Sequence, residues 1–193
     1  MKKFFTRALK FVLFLLGFVI ALWNFLPYPE IGRALMSVGY SRLNENNMKL
    51  SYSDITGVDG GFTVNNLAIE GNVNITFGSI TIRPQIISSI LSLGGVCNID
   101  FRNANIILGQ NFNIGDGHFL MTAFPKEILL EELRTNGDFR LNGYLTINLN
   151  TMKIGQAEAS LNVPEEFAGG LGLLRNFLPL EQDNSGQWHL RRR

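Results

Sequence analysis

Residues Phe139–Asn150, FRLNGYLTINLN, decide the fold. Phe139, Leu141, Leu145, Ile147 and Leu149 share one parity, with Gly143 as the gap. Arg140, Asn142, Tyr144, Thr146, Asn148 and Asn150 hold the other. Successive side chains of a strand point to opposite sides, so the pattern predicts a long strand with one apolar and one wet surface. The next segment repeats it, with Ala157, Ala159, Leu161 and Val163 against Gln156, Glu158, Ser160 and Asn162. Thr151–Gly155 would be the turn of an antiparallel hairpin.

Working upstream, Cys97, Ile99 and Phe101 alternate with Asn98, Asp100 and Arg102, and Val73, Ile75 and Phe77 with Asn72, Asn74 and Thr76. The apolar parity then slips to Ile80 and Ile82 across Gly78-Ser79, which marks a bulge or a tight turn. Phe62 and Val64 slip in the same way to Leu67 and Ile69 across Asn65-Asn66. Weaker strands are expected at Met48–Ile55, Ala104–Leu108 and His118–Met121. Three short helices are expected between strands: Pro84–Leu93 with an Ile86, Ile90, Leu93 stripe, Pro125–Arg134, and Pro164–Leu178. The last contains Gly169, Gly170 and Gly172, each costing a helix about 1 kcal/mol against Ala, so part of it reads as loop.

At the other end of the chain stands Phe11–Leu26, FVLFLLGFVIALWNFL, without a charged side chain and preceded by Lys2, Lys3, Arg7 and Lys10. At 1.5 Å rise per residue it covers roughly 24 Å, and Phe4, Phe5, Ala8 and Leu9 extend it toward the ~30 Å of bilayer hydrocarbon. Val19-Ile20-Ala21 loosely fits a signal-peptidase site, but it lies inside the apolar run, with Trp23, Phe25 and Leu26 still to come. The reading is an uncleaved anchor. Its basic flank stays in the cytoplasm, and everything after Pro27 crosses the membrane. Pro27 to about Asn44 follows as a helix with Ile31, Leu35 and Val38 on one face. That helix either lies on the outer leaflet or packs on the domain as a lid.

The expected fold is therefore mainly β with short helices. An N-terminal transmembrane helix precedes a curved antiparallel sheet, forming either a half-open β-groove or a sandwich. The blocks are 1–27 (cytoplasmic flank and anchor), 28–47 (juxtamembrane amphipathic helix) and 48–193 (the β-rich domain). One sheet surface collects Ile75, Phe77, Ile99, Phe101, Phe139, Leu141, Leu145, Ile147, Leu149 and Leu161. These residues would line an apolar groove able to shield acyl chains or a hydrophobic partner segment, or else fill a sandwich core.

Charge and motifs exclude much else. Seven of the 17 basic residues lie in the first ten positions or in Arg191–Arg193, and those between Phe11 and Leu190 are outnumbered by all 16 acidic ones. That middle carries no footprint for nucleic acid, and the Arg triplet reads as a solvated end. Cys97 is the only cysteine, so neither an internal disulfide nor a cysteine metal site can form, and its apolar neighbours predict burial. His118 and His189 are the only histidines, and no HExxH, GxSxG, P-loop or GxGxxG is present. Asp54, Asp59 and Asp116 beside glycines suit turns better than Ca²⁺, and Glu127, Glu131 and Glu132 suit a solvated face. The expectation is no catalytic residue, no metal and no cofactor. A hydrolase would need a pocket uniting His118 with carboxylates.

FLPYPEIGRALMSV (25–38), LSYSDITGVDGGFTVNNLAIEG (50–71), FGSITIRPQIISSILSLGG (77–95), IDFRNANI (99–106) and GDFRLNGYLTINL (137–149) occur in an order that resembles the type II secretion system protein N family and its AsmA/TamB-like relatives. The resemblance spans most of Leu26–Val163. It implies a bacterial inner-membrane protein with a single span and a periplasmic β-rich domain. Such a protein is a non-catalytic accessory or scaffold with secretion-machinery partners, or alternatively a lipid-binding or lipid-transfer module holding phospholipid acyl chains in a β-groove.

Overall fold

The computed structural model describes residues 10–11, 13–14, 17–18, 21, 25–45, 47–71, 74–108, 110–151, 153–163, 180–183 and 188–192. Along them run α1 (Tyr28–Glu45), β1 (Lys49–Ser51), β2 (Asp54–Val58), β3 (Gly61–Glu70), β4 (Asn74–Pro84), α2 (Ile86–Ser92), β5 (Gly95–Leu108) and β6 (Gln110–Ala123). There follow β7 (Glu127–Thr135), β8 (Arg140–Asn148), β9 (Lys153–Asn162), β10 (Leu180–Gln182) and β11 (Trp188–Arg192). The strands form one antiparallel sheet of 11 in the order β1-β3-β4-β5-β6-β7-β8-β9-β11-β10, with β2 also on β3. Short connections make consecutive strands pair, and the result is a single open sheet where a two-layer sandwich was the alternative expectation.

The β8–β9 hairpin forms with Leu141 opposite Leu161 and Leu145 opposite Ala157, as the alternation requires. A register shift after Leu145 sets Ile147 opposite Ile154, and β9 begins at Lys153, inside the turn expected over Thr151–Gly155. The helix expected over Pro125–Arg134 is instead strand β7. EILLEELRT has good helix formers, but β6 and β8 offer it ladders on both sides, and that pairing overrides intrinsic propensity. The two strands expected around Asn103 are one strand, β5. Arg191 and Arg192 belong to strand β11, opposite Glu158 and Ala157, and the Arg191 side chain is exposed there, as expected of a solvated end. The helix expected over Pro164–Leu178 lies outside the described residues.

The parity slips are breaks within continuous strands. Asn66 and Asn103 take φ of 50° and 51°, Gly115 takes 72° and Glu132 takes 52°. Asparagine and glycine tolerate this left-handed conformation best. One such residue reverses the in-out alternation beyond it. Phe62 and Val64 before Asn66, and Leu67 after it, consequently all reach the same core, with Ile69 packed against them. Side chains brace the breaks. Asp116 Oδ1 accepts the Asn103 N–H at 3.0 Å, and the Asp116 N–H donates to Asn136 Oδ1 at 2.7 Å.

Among the described residues two cores form on the apolar face. Near one edge Tyr28, Leu50, Ile55, Phe62, Val64 and Leu67 are buried, with Met36 and Leu43 of α1 packed against them. Gly32 brings α1 close to the sheet, since a Cβ there would lie 2.7 Å from the Phe62 ring. Near the other edge Phe112, Phe139, Ala157, Ala159, Leu161, Leu180 and Leu190 form the second core. The helix expected at 28–47 is thus a lid on β1–β3, but its expected apolar stripe faces away. Leu35 and Val38 are exposed, while Tyr28, Gly32, Met36, Gly39 and Leu43 make the inner stripe. The stripe expected on α2 also fails to pack, because that helix buries none of its residues. Among the described residues no helix is long and apolar enough to cross a membrane. Half of the anchor expected over Phe11–Leu26 falls outside them. Of its described members, Phe11, Leu13, Phe14, Gly17, Phe18 and Ala21 are helical, and Phe25 and Leu26 are not.

Candidate functional site

The sheet's ladders sort the side chains into two unlike surfaces. On one, Phe62 stands opposite Ile82, Ile82 opposite Ile99 and Ile99 opposite Phe119. Beside that row Val64, Ile80 and Phe101 are aligned, and the Phe101 ring lies over Gly117, where an added Cβ would meet it at 2.2 Å. Rings of Phe77 and Phe119 flank Phe101 at 5.8 Å and 6.3 Å. The surface continues through Leu130, Leu145 and Ala157 toward the second core.

Of the residues expected to line a groove, Ile99, Phe101, Phe139 and Leu161 are buried, and Ile75, Phe77, Leu141, Leu145 and Ile147 are half-buried. Leu149 sits in the β8–β9 turn, 38 % exposed. Phe139 and Leu161 share the second core, with Leu141 and Leu145 packed against it, while Phe77 packs against the first. The expected residues are therefore divided between two filled cores and the half-covered strands between them. Phe119 and Leu130 also belong to those middle strands, although alternation did not single them out, while Ile80 and Ile82, which it did, pack against the first core.

On the opposite surface a polar row crosses nine strands. Thr63, Thr81, Asp100, His118 and Arg134 are successive partners. Asn142, Ser160, His189 and Glu181 continue them. The hydroxyls of Thr63 and Thr81 are 2.8 Å apart. Asp100 joins His118 Nδ1 at 2.8 Å and Arg83 at 2.7 Å. With Arg102, Arg134 and Thr135 they border a cleft of about 500 Å³.

The union of His118 with a carboxylate that a hydrolase requires is thus present, but the cleft holds neither serine nor cysteine. Cys97 lies in the apolar row, opposite Met121, and burial pushes its thiol pKa up, which suppresses the thiolate. Among the described residues no group of three His, Cys, Asp or Glu is gathered for a metal. Asp116, weighed as a cation ligand, instead braces the break at Asn103.

These features define a two-faced open-sheet protein. A family model described as type II secretion system protein GspN-like, Synergistales, matches residues 6–192, and the chain belongs to that family. No curated protein and no solved structure matches the chain.

Proposed function

We propose that the chain is a non-catalytic accessory of type II protein secretion, held in the bacterial inner membrane by Phe11–Leu26. Its N-terminus is cytoplasmic, its sheet is periplasmic, and secretion-machinery proteins are its partners. The family match carries the association with secretion. The anchor is supported by the basic flank before an uncharged run, and by Phe11, Leu13, Phe14 and Phe18, which are 56–70 % exposed on their helix. An apolar helix with that much bare surface is stable in hydrocarbon and costly in water. Deleting the gene and assaying export of a secreted enzyme tests the role. Export should fall, and unchanged export under inducing conditions would refute it.

A second reading is favoured by one observation. The central strands β5–β7 carry half-covered apolar side chains such as Phe119, Met121 and Leu130 between the two cores. Acyl chains of a phospholipid would complete that layer. Native mass spectrometry of the full-length protein ejected from detergent should then show retained phospholipid, and Met121→Asp, opposite Leu130, should abolish it. A lipid-free wild-type spectrum sinks this reading and leaves the scaffold role standing.

A further inference from the structure

Helix α2 is built inside out. Its serines serve the protein, since Ser89 Oγ donates to the Gln85 carbonyl at 2.6 Å and accepts the Val96 N–H at 2.8 Å. Ser88 Oγ donates to Gln85 Oε1 at 2.9 Å. Its apolar side chains point away, with Ile87, Ile90, Leu91 and the capping Leu93 exposed by 76, 67, 80 and 88 %. No charged residue occurs between Arg83 and Asp100. A helix in water shows the reverse arrangement, so the outer face of α2 calls for an apolar surrounding.

Position selects the medium. Pro29, in the first turn of α1, packs on Gly57, and Gly32 packs on Phe62 and Ile55. Phe62 pairs with Ile82, and α2 begins four residues after Ile82. The start of α1, into which the Phe11–Leu26 run leads, and α2 therefore occupy the same end of the sheet. Phe25, 85 % exposed, precedes α1 there.

We infer that α2 is a second membrane contact, immersing Ile87, Ile90, Leu91 and Leu93 in the leaflet from which the anchor emerges. This rests on the anchor proposed above. Interfacial helices sink about 5–10 Å into the headgroup boundary, which suits side chains without a charge among them. Two contacts at one end hold the sheet upright on the bilayer, where the anchor alone would let it pivot.

The test uses full-length Cys97→Ala protein in phosphatidylethanolamine–phosphatidylglycerol vesicles. An environment-sensitive fluorophore is placed on Leu91→Cys, on Phe14→Cys within the anchor, or on Glu70→Cys at the far end of β3. The expected result is blue-shifted emission at Leu91 and Phe14, lost when acyl chains carry a nitroxide, with Glu70 unaffected. A quenched Phe14 beside a water-exposed Leu91 overturns the proposal while the anchor stands, and leaves α2 to a protein partner. An unquenched Phe14 refutes the anchor, and the proposal falls with it.

Discussion

Phe62 is 1 % exposed beneath α1, and its ring fills the space that Gly32 leaves open. Phe62→Ala should cost about 3–5 kcal/mol, because the helix cannot drop into the gap without losing Tyr28 and Met36 from the same core. Denaturant unfolding of the detergent-solubilised protein measures it. The Asp100 pairs behave differently. Arg83, Asp100 and His118 are exposed by 46, 44 and 36 % at their side chains, so solvent screens them and Asp100→Asn should cost at most about 1 kcal/mol. Burial raises the Cys97 thiol above its ordinary value of 9.0. The folded chain therefore keeps a proton that the unfolded chain loses as pH rises. This contribution to stability is complete below pH 9.0 and disappears as pH climbs through the folded value. Alkylation by iodoacetamide should accordingly show a midpoint above 9.0 in the native protein and near it in urea.

At the scale of elements, Glu132, like Leu93, holds a left-handed backbone that suits its side chain poorly. A non-glycine side chain at its φ of 52° costs about 1–2 kcal/mol. Glu132→Gly should unfold at a higher denaturant midpoint and Glu132→Val at a lower one, each by about 1 kcal/mol. The same residue shows where the sequence stops being legible. Ile128 and Leu130 fall in one parity and Leu133 in the other, while Leu129, Leu130 and Leu133 also fit one helix face, and only the ladders of β6 and β8 decide the matter. The slips at Asn65-Asn66 and Gly78-Ser79 could be seen because each separates clean alternations, although a bulge could not be told from a turn. The stripes on α1 and α2 were legible as apolar faces but not as outward ones, because amphipathic pattern carries no label for the medium.

For the whole molecule, alternation identified which side chains share a surface within each strand, but register is a tertiary property. The polar row was visible only in fragments around Asp100 and Asn142, since nothing local says that His118 stands opposite both Asp100 and Arg134. The groove residues were for the same reason pooled into one site that the ladders divide between two cores. Strands β10 and β11 were missed because three and five residues carry too little pattern.

The breaks at Asn66, Asn103, Gly115 and Glu132 also bear on how such a chain can change through time. Strands β3, β5, β6 and β7 are each written in two phases, and neighbouring strands must switch phase together for grease to face grease along their whole length. Losing or gaining one amino acid within a half-strand would turn that half over against its unaltered neighbours. Variation should therefore gather in the turns, and the strands should change length only in steps of two.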